Sequence, residues 1–362
     1  MSGEANNFGL TKSTSPKVAI IVLNWNGWKD TIECLESVFR SNYLDFQVIV
    51  VDNGSADESV TRIEEYIKGK GLGFLIHKLS NSAKQAIFDE EYKNKVLENL
   101  SKDESYKPPV LILSDENLGF ARGNNVGIEY AIKNGFQYVM LLNNDTILTS
   151  SLIGQMVSFM EESSSVEISV PCIYYYWDQD KIWNCGGKLL PFGGRKYYTS
   201  KKVCDRALTY INVSFVTGCA LLVRSSVFRN FGLLSEEFFF GEEDYEFSVR
   251  MRKNKVKMVC VLSTKMYHKV GSSAKKLTGQ KLKLAFIHHL NRLVHLKKYY
   301  PRNVWLIFRF FAILYIFSML IFRYKINFKV NMIYIKKLIK YSRTLNGLDK
   351  ETFDTILSEE FI

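Results

Sequence analysis

Acidic residues are missing from a long stretch of this chain. Between Phe247 and Leu348 there is not one Asp or Glu, while 23 Lys or Arg fall in the same stretch. The remainder carries 25 basic against 37 acidic residues, so the net charge of +11 is a basic C-terminal region on an acidic-to-neutral body. Such a region calls for an anionic partner: lipid head groups, a polyphosphate or nucleic acid. Cysteine is scarce as well. The six (Cys34, Cys172, Cys185, Cys204, Cys219, Cys260) are scattered and form no CxxC pair, which argues against a zinc site or a disulfide framework and for a reducing compartment. No GxGxxG follows the first apolar run, where the turn reads NWNGWK, and no GxxxxGK[ST] occurs. NAD binding and P-loop NTP hydrolysis are thereby disfavoured. No signal peptide is visible, and the polar opening residues 1–16 read as a loose arm.

What is present is a large globular body. At 362 residues and 47% hydrophobic, the chain is long and apolar enough for one large domain or two smaller ones. VAIIVL (18–23) and QVIVVDN (47–53) read as buried strands, the second ending in Asp52 and Asn53. Helical spacing follows each, over 30–40 and 57–68. FLIHKL, VLIL and YVMLLN continue the series of strands, with a Gly/Asn-rich loop and a helix between the last two. Alternating strands and helices predict an α/β fold with a mostly parallel sheet between helices. Ligands of such sheets sit at the strand C-terminal ends. Asp52, the 117–125 loop and Asp145 all fall at such ends. Residues 81–107 look like a charged helical insertion. VTGCALLVR, a helix over 244–254, a strand leading to His268 and a basic helix over 277–300 complete the body.

Two segments carry the chemistry. VMLLNNDT (139–146) is an apolar run ending in Asp145, and FFFGEEDYEFSVR (238–250) is an aromatic run ending in Glu242, Glu243 and Asp244. Mg²⁺ and Mn²⁺ take oxygen ligands, usually one or two carboxylates plus substrate phosphates, which makes Asp145 a candidate ligand. A carboxylate among like charges resists ionisation and becomes a usable base, which makes Asp244 the candidate general base. Both residues also have plainer readings, a strand-end helix cap and an acidic helix N-terminus. Glu246 and Arg250 are spaced to pair across a helix turn. His268 by itself reads most simply as structural; His288, His289 and His295 read as interface or surface residues of a basic helix. Gly119, Gly123 and Gly127, with Asn117, Asn124 and Asn125, would let backbone approach a ligand, and Arg122 would meet a diphosphate.

The ordered set VLNWNG, VVDNGSADES, NLGFARGNNVGI, LLNNDT, FVTGCALLVRSSVF and GEEDYEFSVR resembles family 2 of the inverting glycosyltransferases, which have the GT-A fold, and within it the bacterial rhamnosyltransferase-like branch. The likeness covers about 17–270. It implies a nucleotide-sugar pocket lined by Asn24, Trp25, Asn26, Asp52, Asn53, Asn117, Gly119, Arg122, Gly123, Asn124 and Gly218. It places the family's DxD motif on Asn143, Asn144 and Asp145, and its catalytic acid pair on Glu243 and Asp244, with Asp244 as base. Some members add a metal-binding histidine about two dozen residues after the base; His268 lies 24 residues after Asp244. The motif's first acid is Asn143 here, so only one of its carboxylates can hold Mn²⁺ or Mg²⁺.

The C-terminal region, 276–362, combines charge with apolarity. VWLIFRFFAILYIFSMLIF (304–322) has a single charge, Arg309, and approaches the length of a membrane span. A span would leave basic residues on both sides, against the positive-inside rule. INFKVNMIYIKKLIKY (326–341) mixes apolar and basic residues as an interfacial helix does. The expectation is therefore helices lying in, or re-entering, the cytoplasmic face of a bacterial inner membrane. The implied partners are a nucleotide-sugar donor (dTDP-L-rhamnose, with UDP-galactose or another UDP-hexose as alternative), a polyprenyl-diphosphate-linked glycan acceptor and an anionic membrane surface. The implied role is O-antigen or capsule synthesis. Nucleic acid is disfavoured, since its grooves want charge and stacking rather than an aliphatic helix. A non-catalytic scaffold on the same fold is the rival from another class.

Overall fold

The computed structural model describes residues 15–79, 107–199, 208–270 and 281–359. The expected arm at 1–16 and insertion at 81–107 lie outside the described residues, save a residue or two at their ends. Strands β1 (Val18–Asn24) and β2 (Phe46–Asn53) flank helix α1 (Trp28–Phe39) in the chain. Helix α2 (Ser59–Gly69), β3 (Leu75–Leu79), β4 (Val110–Ser114), α3 (Phe120–Lys133) and β5 (Tyr138–Asn143) follow. After them come β6 (Thr146–Leu148), α4 (Leu152–Glu162), β7 (Ile168–Tyr175), β8 (Ile182–Asn184) and the small hairpin β9 (Gly187–Leu189) and β10 (Arg195–Tyr197). β11 (Tyr210–Val213), β12 (Ala220–Arg224), α5 (Ser225–Phe231), α6 (Glu243–Lys253) and β13 (Met258–His268) close the sheet domain.

The main sheet runs β11-β13-β7-β12-β5-β1-β2-β4-β3. From β5 through β1, β2 and β4 to β3 every pairing is parallel. β12 is antiparallel to both β5 and β7, so the sheet is mixed beyond β5. Alternate residues of each strand face opposite layers. Ile20 and Val22 join Leu35, Val38 and Ile63 of α1 and α2 on one side. Ile21 joins Ile128 and Ala131 of α3, with Phe247 and Met251 of α6, on the other. Burial on both faces explains why these strands read as continuous apolar runs. β1 lies between β2 and β5, and the chain leaves it in both directions. The crevice at the C-terminal ends of β1 and β5 is therefore the topological switch point where open α/β sheets bind ligands.

A helical layer follows: α7 (Lys281–Tyr299), α8 (Arg302–Ser318, continued by a π-helical turn to Arg323), α9 (Phe328–Thr344) and α10 (Lys350–Ser358). Its core is Phe286, Leu290, Val294, Tyr334, Leu338 and Ile356, and Phe238 joins it from the sheet domain. The run Arg302–Arg323 is long and apolar enough to cross a membrane by length and composition. Its one interior charge turns inward: Arg309 donates to Ser342 Oγ (2.9 Å) and Ile339 O (2.5 Å) of α9. Outward it shows Ile307, Phe310, Phe311 and Tyr315, each about 60% exposed (61, 59, 62 and 66%).

Candidate active site

A pocket of about 370 Å³ opens at the switch point. Of the residues expected there, Trp25, Asn53, Asn117, Gly119, Asn143, Asn144, Asp145, Gly218, Glu243 and Asp244 line it. The others stand elsewhere. Asn24 and Asp52 are buried one layer below, where Asn24 Nδ2 donates to Asp52 Oδ2 at 2.7 Å. Thr31 Oγ1 donates to Asn24 Oδ1 (2.7 Å), and Asn144 Nδ2 donates to Thr31 Oγ1 (3.0 Å). These bonds run from the end of β2 across β1 to the end of β5 and lock the three strand ends together. Asp52 also accepts from the backbone N and Oγ of Ser55 (3.0 and 2.7 Å), which shapes its turn. Asn26 sits in a left-handed conformation (φ 49°) and accepts from the amide of Ala56 at 2.8 Å, holding the same turn from the other side.

The glycine-rich loop is built on Asn53. Its Oδ1 accepts from the Leu118 amide (2.9 Å) and its Nδ2 donates to Asn117 Oδ1 (3.0 Å) and Gly119 O (3.2 Å). Gly119 has φ +81°, and a Cβ there would lie 2.4 Å from Phe239 O, so no other residue fits without moving the backbone. Gly123 and Asn124 do not face the pocket. Gly123 lets α3 approach Leu23, and Asn124 bonds back to Phe120 O (2.9 Å). Arg122, expected at the diphosphate, is instead 57% exposed and 4.0 Å from Glu236. Its position in the first turn of α3 points it to the surface.

Asp145 lines the pocket, and His268 stands behind it rather than in the lining, its Nε2 3.0 Å from Asp145 Oδ1 and each side chain only 7% exposed. Burial opposes the charged imidazole, but Cys219 and Asp145 beside it prevail and hold its pKa at about 10. Two ligands of one Mg²⁺ or Mn²⁺ at ~2.1 Å and near-octahedral angles stand about 3 Å apart. The spacing thus fits a divalent ion, which would bind the neutral imidazole and so take the place of the proton that Nε2 shares with Asp145.

At the opposite wall, α6 begins with Glu243 and Asp244. Burial, reinforced by Asp244, pushes Glu243 up to about 8, and Glu243 Oε2 is buried with no hydrogen-bond partner among the described residues. Burial also raises Asp244, opposed by Arg195, whose guanidinium lies 3.6 Å away. A helix N-terminus favours an anion by roughly 0.3–1 kcal/mol, which is less than a tenfold change in the proton equilibrium. Burial therefore wins at Glu243. Environments that separate two adjacent carboxyl groups are how acid and base roles are assigned. Burial raises both, and Arg195 opposes the rise more strongly at Asp244, so Glu243 is the one that holds its proton more firmly. Glu246 pairs with Arg250 (2.9 Å), as its helical spacing predicts.

Several lining residues carried no local signal. Arg195 comes from the β9–β10 hairpin, stacked 5.2 Å from the ring of Tyr197 and equally from that of Phe215. His288 from α7 and Phe353 from α10 reach the same pocket beside Phe239 and Phe240. Of the histidines expected at an interface or surface, His288 is exposed at the pocket, whereas His295 is fully buried against Glu242.

The model of the family described as glycosyltransferase-like family 2 matches residues 16–286. The chain belongs to that family. Among curated relatives of this glycosyltransferase family member, the dTDP-rhamnosyl transferase RfbF of Shigella flexneri is 23% identical over 205 residues, 55% of this chain and 62% of that one. An uncharacterized glycosyltransferase of Rickettsia prowazekii is 23% identical over 222 residues, 61% of this chain and 54% of its own. The match spans less than two thirds of the length of either relative. Among solved structures, a mannosyltransferase of Pyrobaculum calidifontis in complex with GDP-Man and Mn²⁺ has a TM-score of 0.50 at 12% identity, covering 96% of this chain and 79% of that one. That likeness supports the GT-A fold that the family resemblance implied.

Proposed function

We propose that this protein is an inverting glycosyltransferase that moves a sugar from a nucleoside-diphosphate donor to a hydroxyl acceptor. One observation carries the reading: Asp145, backed by the buried His268, and the half-buried Glu243–Asp244 pair line one pocket at the switch point. Trp25, Asn53, Asn117 and Gly119 would hold the nucleotide end of the donor. Asp145 and His268 would hold Mn²⁺ or Mg²⁺, which when bound offsets the charge of the departing diphosphate. Asp244, kept anionic by Arg195, takes the proton of the acceptor hydroxyl. That oxygen then attacks the anomeric carbon in line, the bond to the diphosphate breaks on the opposite side, and the configuration inverts. Glu243 stays protonated and leaves Asp244 as the sole base.

The donor we favour is dTDP-L-rhamnose, in keeping with the activity for which the Shigella relative is named; UDP-galactose or another UDP-hexose is the alternative. The acceptor would be a polyprenyl-diphosphate-linked glycan at the cytoplasmic face of a bacterial inner membrane, serving O-antigen or capsule synthesis. The support is the C-terminal layer. Phe322 (81% exposed), Tyr324 (56%) and Phe328 (63%) alternate with exposed Arg323, Lys325 and Lys329 at the α8–α9 turn, the composition of an interfacial anchor for anionic lipid.

The test uses detergent-solubilised protein with Mn²⁺ and a donor panel: dTDP-rhamnose, UDP-galactose, UDP-glucose, UDP-N-acetylglucosamine and GDP-mannose. Metal-dependent nucleoside diphosphate release from one donor, lost in Asp145→Ala, is expected. Donor binding by calorimetry with no release in the presence of membrane extract would favour the non-catalytic scaffold.

A further inference from the structure

We infer that α7 is a positioning element for the carboxylate pair: one polar face of this helix grips the turn from which α6 starts and so sets where Glu243 and Asp244 point. The inference rests on the reading of Asp244 as the base.

His288, Asn291, Arg292 and His295 recur at i, i+3, i+4 and i+7, one face of a helix. Each meets the three residues before the acids. Asn291 Nδ2 donates to Phe240 O at 2.9 Å. The ring of His288 packs over Gly241, where an added Cβ would come within 3.1 Å of it. Arg292 forks onto Glu242, Nε to Oε1 at 2.5 Å and Nη2 to Oε2 at 3.1 Å. His295 Nδ1 lies 2.9 Å from the same Oε1. Glu242 and His295 are buried, with side chains 4% and 0% exposed. Arg292 also lies 3.5 Å over the ring of Tyr245, the residue after Asp244.

The gripped turn is not one the chain would keep unaided. Gly241 and Glu242 have φ of +79° and +80°, two successive left-handed residues, and the second carries a side chain. Such conformations persist where the surroundings over-determine them, and they gather at functional sites. A carboxylate buried this deeply also needs its partners. Both requirements are met from α7, so the direction in which α6 leaves the turn depends on a helix of the C-terminal layer. Arg292 and His295 touch no reacting atom; they act through Glu242.

A brace that merely fastens two layers together would affect stability and nothing else. A positioning role predicts a split between turnover and donor affinity, and a charge effect on the base. The titratable and charged groups around Glu242 and Asp244 are Arg195 and Tyr197 from β10, Glu243 and Tyr245 from α6, and His288, Arg292 and His295 from α7. In full-length protein, Arg292→Lys keeps the charge and loses the fork. It is expected to lower kcat for nucleoside diphosphate release from dTDP-rhamnose or UDP-galactose by about 10²-fold, the scale of a small misplacement. Donor KM and the acid limb of the pH–rate profile should stay near wild type. Glu242→Gln removes a negative charge and leaves Arg292 unopposed, so kcat falls and the acid limb moves to lower pH. The inference is overturned if both variants are folded and keep the wild-type kcat and pH profile. If Glu242→Gln does not fold, His295→Gln joins Arg292→Lys, and wild-type kcat in both overturns it equally. Full turnover by Asp244→Asn would instead remove the base assignment on which the inference stands.

Discussion

His268 stands opposite Thr146 in the antiparallel pairing of β6 with β13, and that register brings its Nε2 to 3.0 Å from Asp145 Oδ1. Two buried groups far apart in the chain thus form one candidate ligand pair. Removing either is expected to weaken Mn²⁺ binding by more than about 10²-fold, since losing an outer-shell partner alone costs about 10–100-fold. Titration of Mn²⁺ into Asp145→Ala and His268→Ala, followed by electron paramagnetic resonance, measures this directly. Unchanged affinity in both variants would place the metal elsewhere. Chelation of the wild type should abolish nucleoside diphosphate release, and added Mn²⁺ should restore it.

Asp244→Asn keeps the shape of the side chain and removes the proton acceptor. A positioned general base contributes about 10²–10⁴-fold, so kcat should fall by that factor while donor affinity by calorimetry stays the same. The wild-type acid limb should lie above the ordinary aspartate value, because burial raises Asp244 and Arg195 only partly opposes it. Activity is lost as pH falls through that raised value and the base takes up its proton. An acid limb at an ordinary aspartate position would contradict the burial argument.

Glu243 makes a separate prediction about stability. Its carboxyl is raised from 4.5 to about 8 by burial and by Asp244. In the unfolded chain it ionises near its ordinary value. Folding is therefore unopposed by this group below the unfolded pKa, and increasingly opposed as pH rises through the folded one. The opposition saturates above the folded pKa at no more than a few kcal/mol, because each tenfold change in the proton equilibrium is worth about 1.4 kcal/mol. Glu243→Gln removes it. The variant should melt several degrees above wild type at a pH above the folded pKa, with the gap closing as pH falls towards the unfolded one. Melting curves that stay parallel across that range would show that Glu243 is not held protonated.

The legible part of this protein was its sheet and its acids. VAIIVL and VIVV announce doubly covered strands because their burial is continuous along the chain, and a strand end is where an acid can reach a ligand. Asp145 follows from that logic, and Glu243 and Asp244 from the run of acids that opens α6. His268 does not; only the spacing known from the family resemblance drew it in, because its partner is brought close by an antiparallel register that no local pattern encodes. Arg122 shows the same gap in reverse. Its loop was recognisable, but the direction of a first-turn side chain depends on how α3 sits against the sheet, and here it meets Glu236 at the surface. Asn24 and Asp52 lie in the right region, yet serve as a buried brace below the pocket. Arg195 and the polar face of α7 went unread because each reaches the site from an element whose own sequence looks like surface. Histidines among lysines read as solvated until a buried Glu242 is placed against them.

The exposed aromatic side chains of the C-terminal layer give the last prediction. α8 leaves Phe310 and Phe311 outward while Arg309 is consumed by α9, so the helix presents an uninterrupted apolar face. At the α8–α9 turn, Phe322 is 81% exposed beside basic residues. Burying one such ring in the interface is worth about 2 kcal/mol, and a basic residue near anionic lipid about 1 kcal/mol. Phe311→Ser with Phe322→Ser should therefore lower the partition coefficient onto phosphatidylglycerol-containing vesicles by more than about tenfold, with little change in melting temperature because both rings are largely exposed. Reversing charge at Arg323 and Lys325 should weaken binding mainly at low salt, since screening already removes that attraction at high ionic strength. Wild-type sedimentation with vesicles that is indifferent to both sets of substitutions would show that this face does not meet the membrane. Retention on duplex DNA, lost with the basic pair but not with the aromatic pair, would assign the charge to nucleic acid instead.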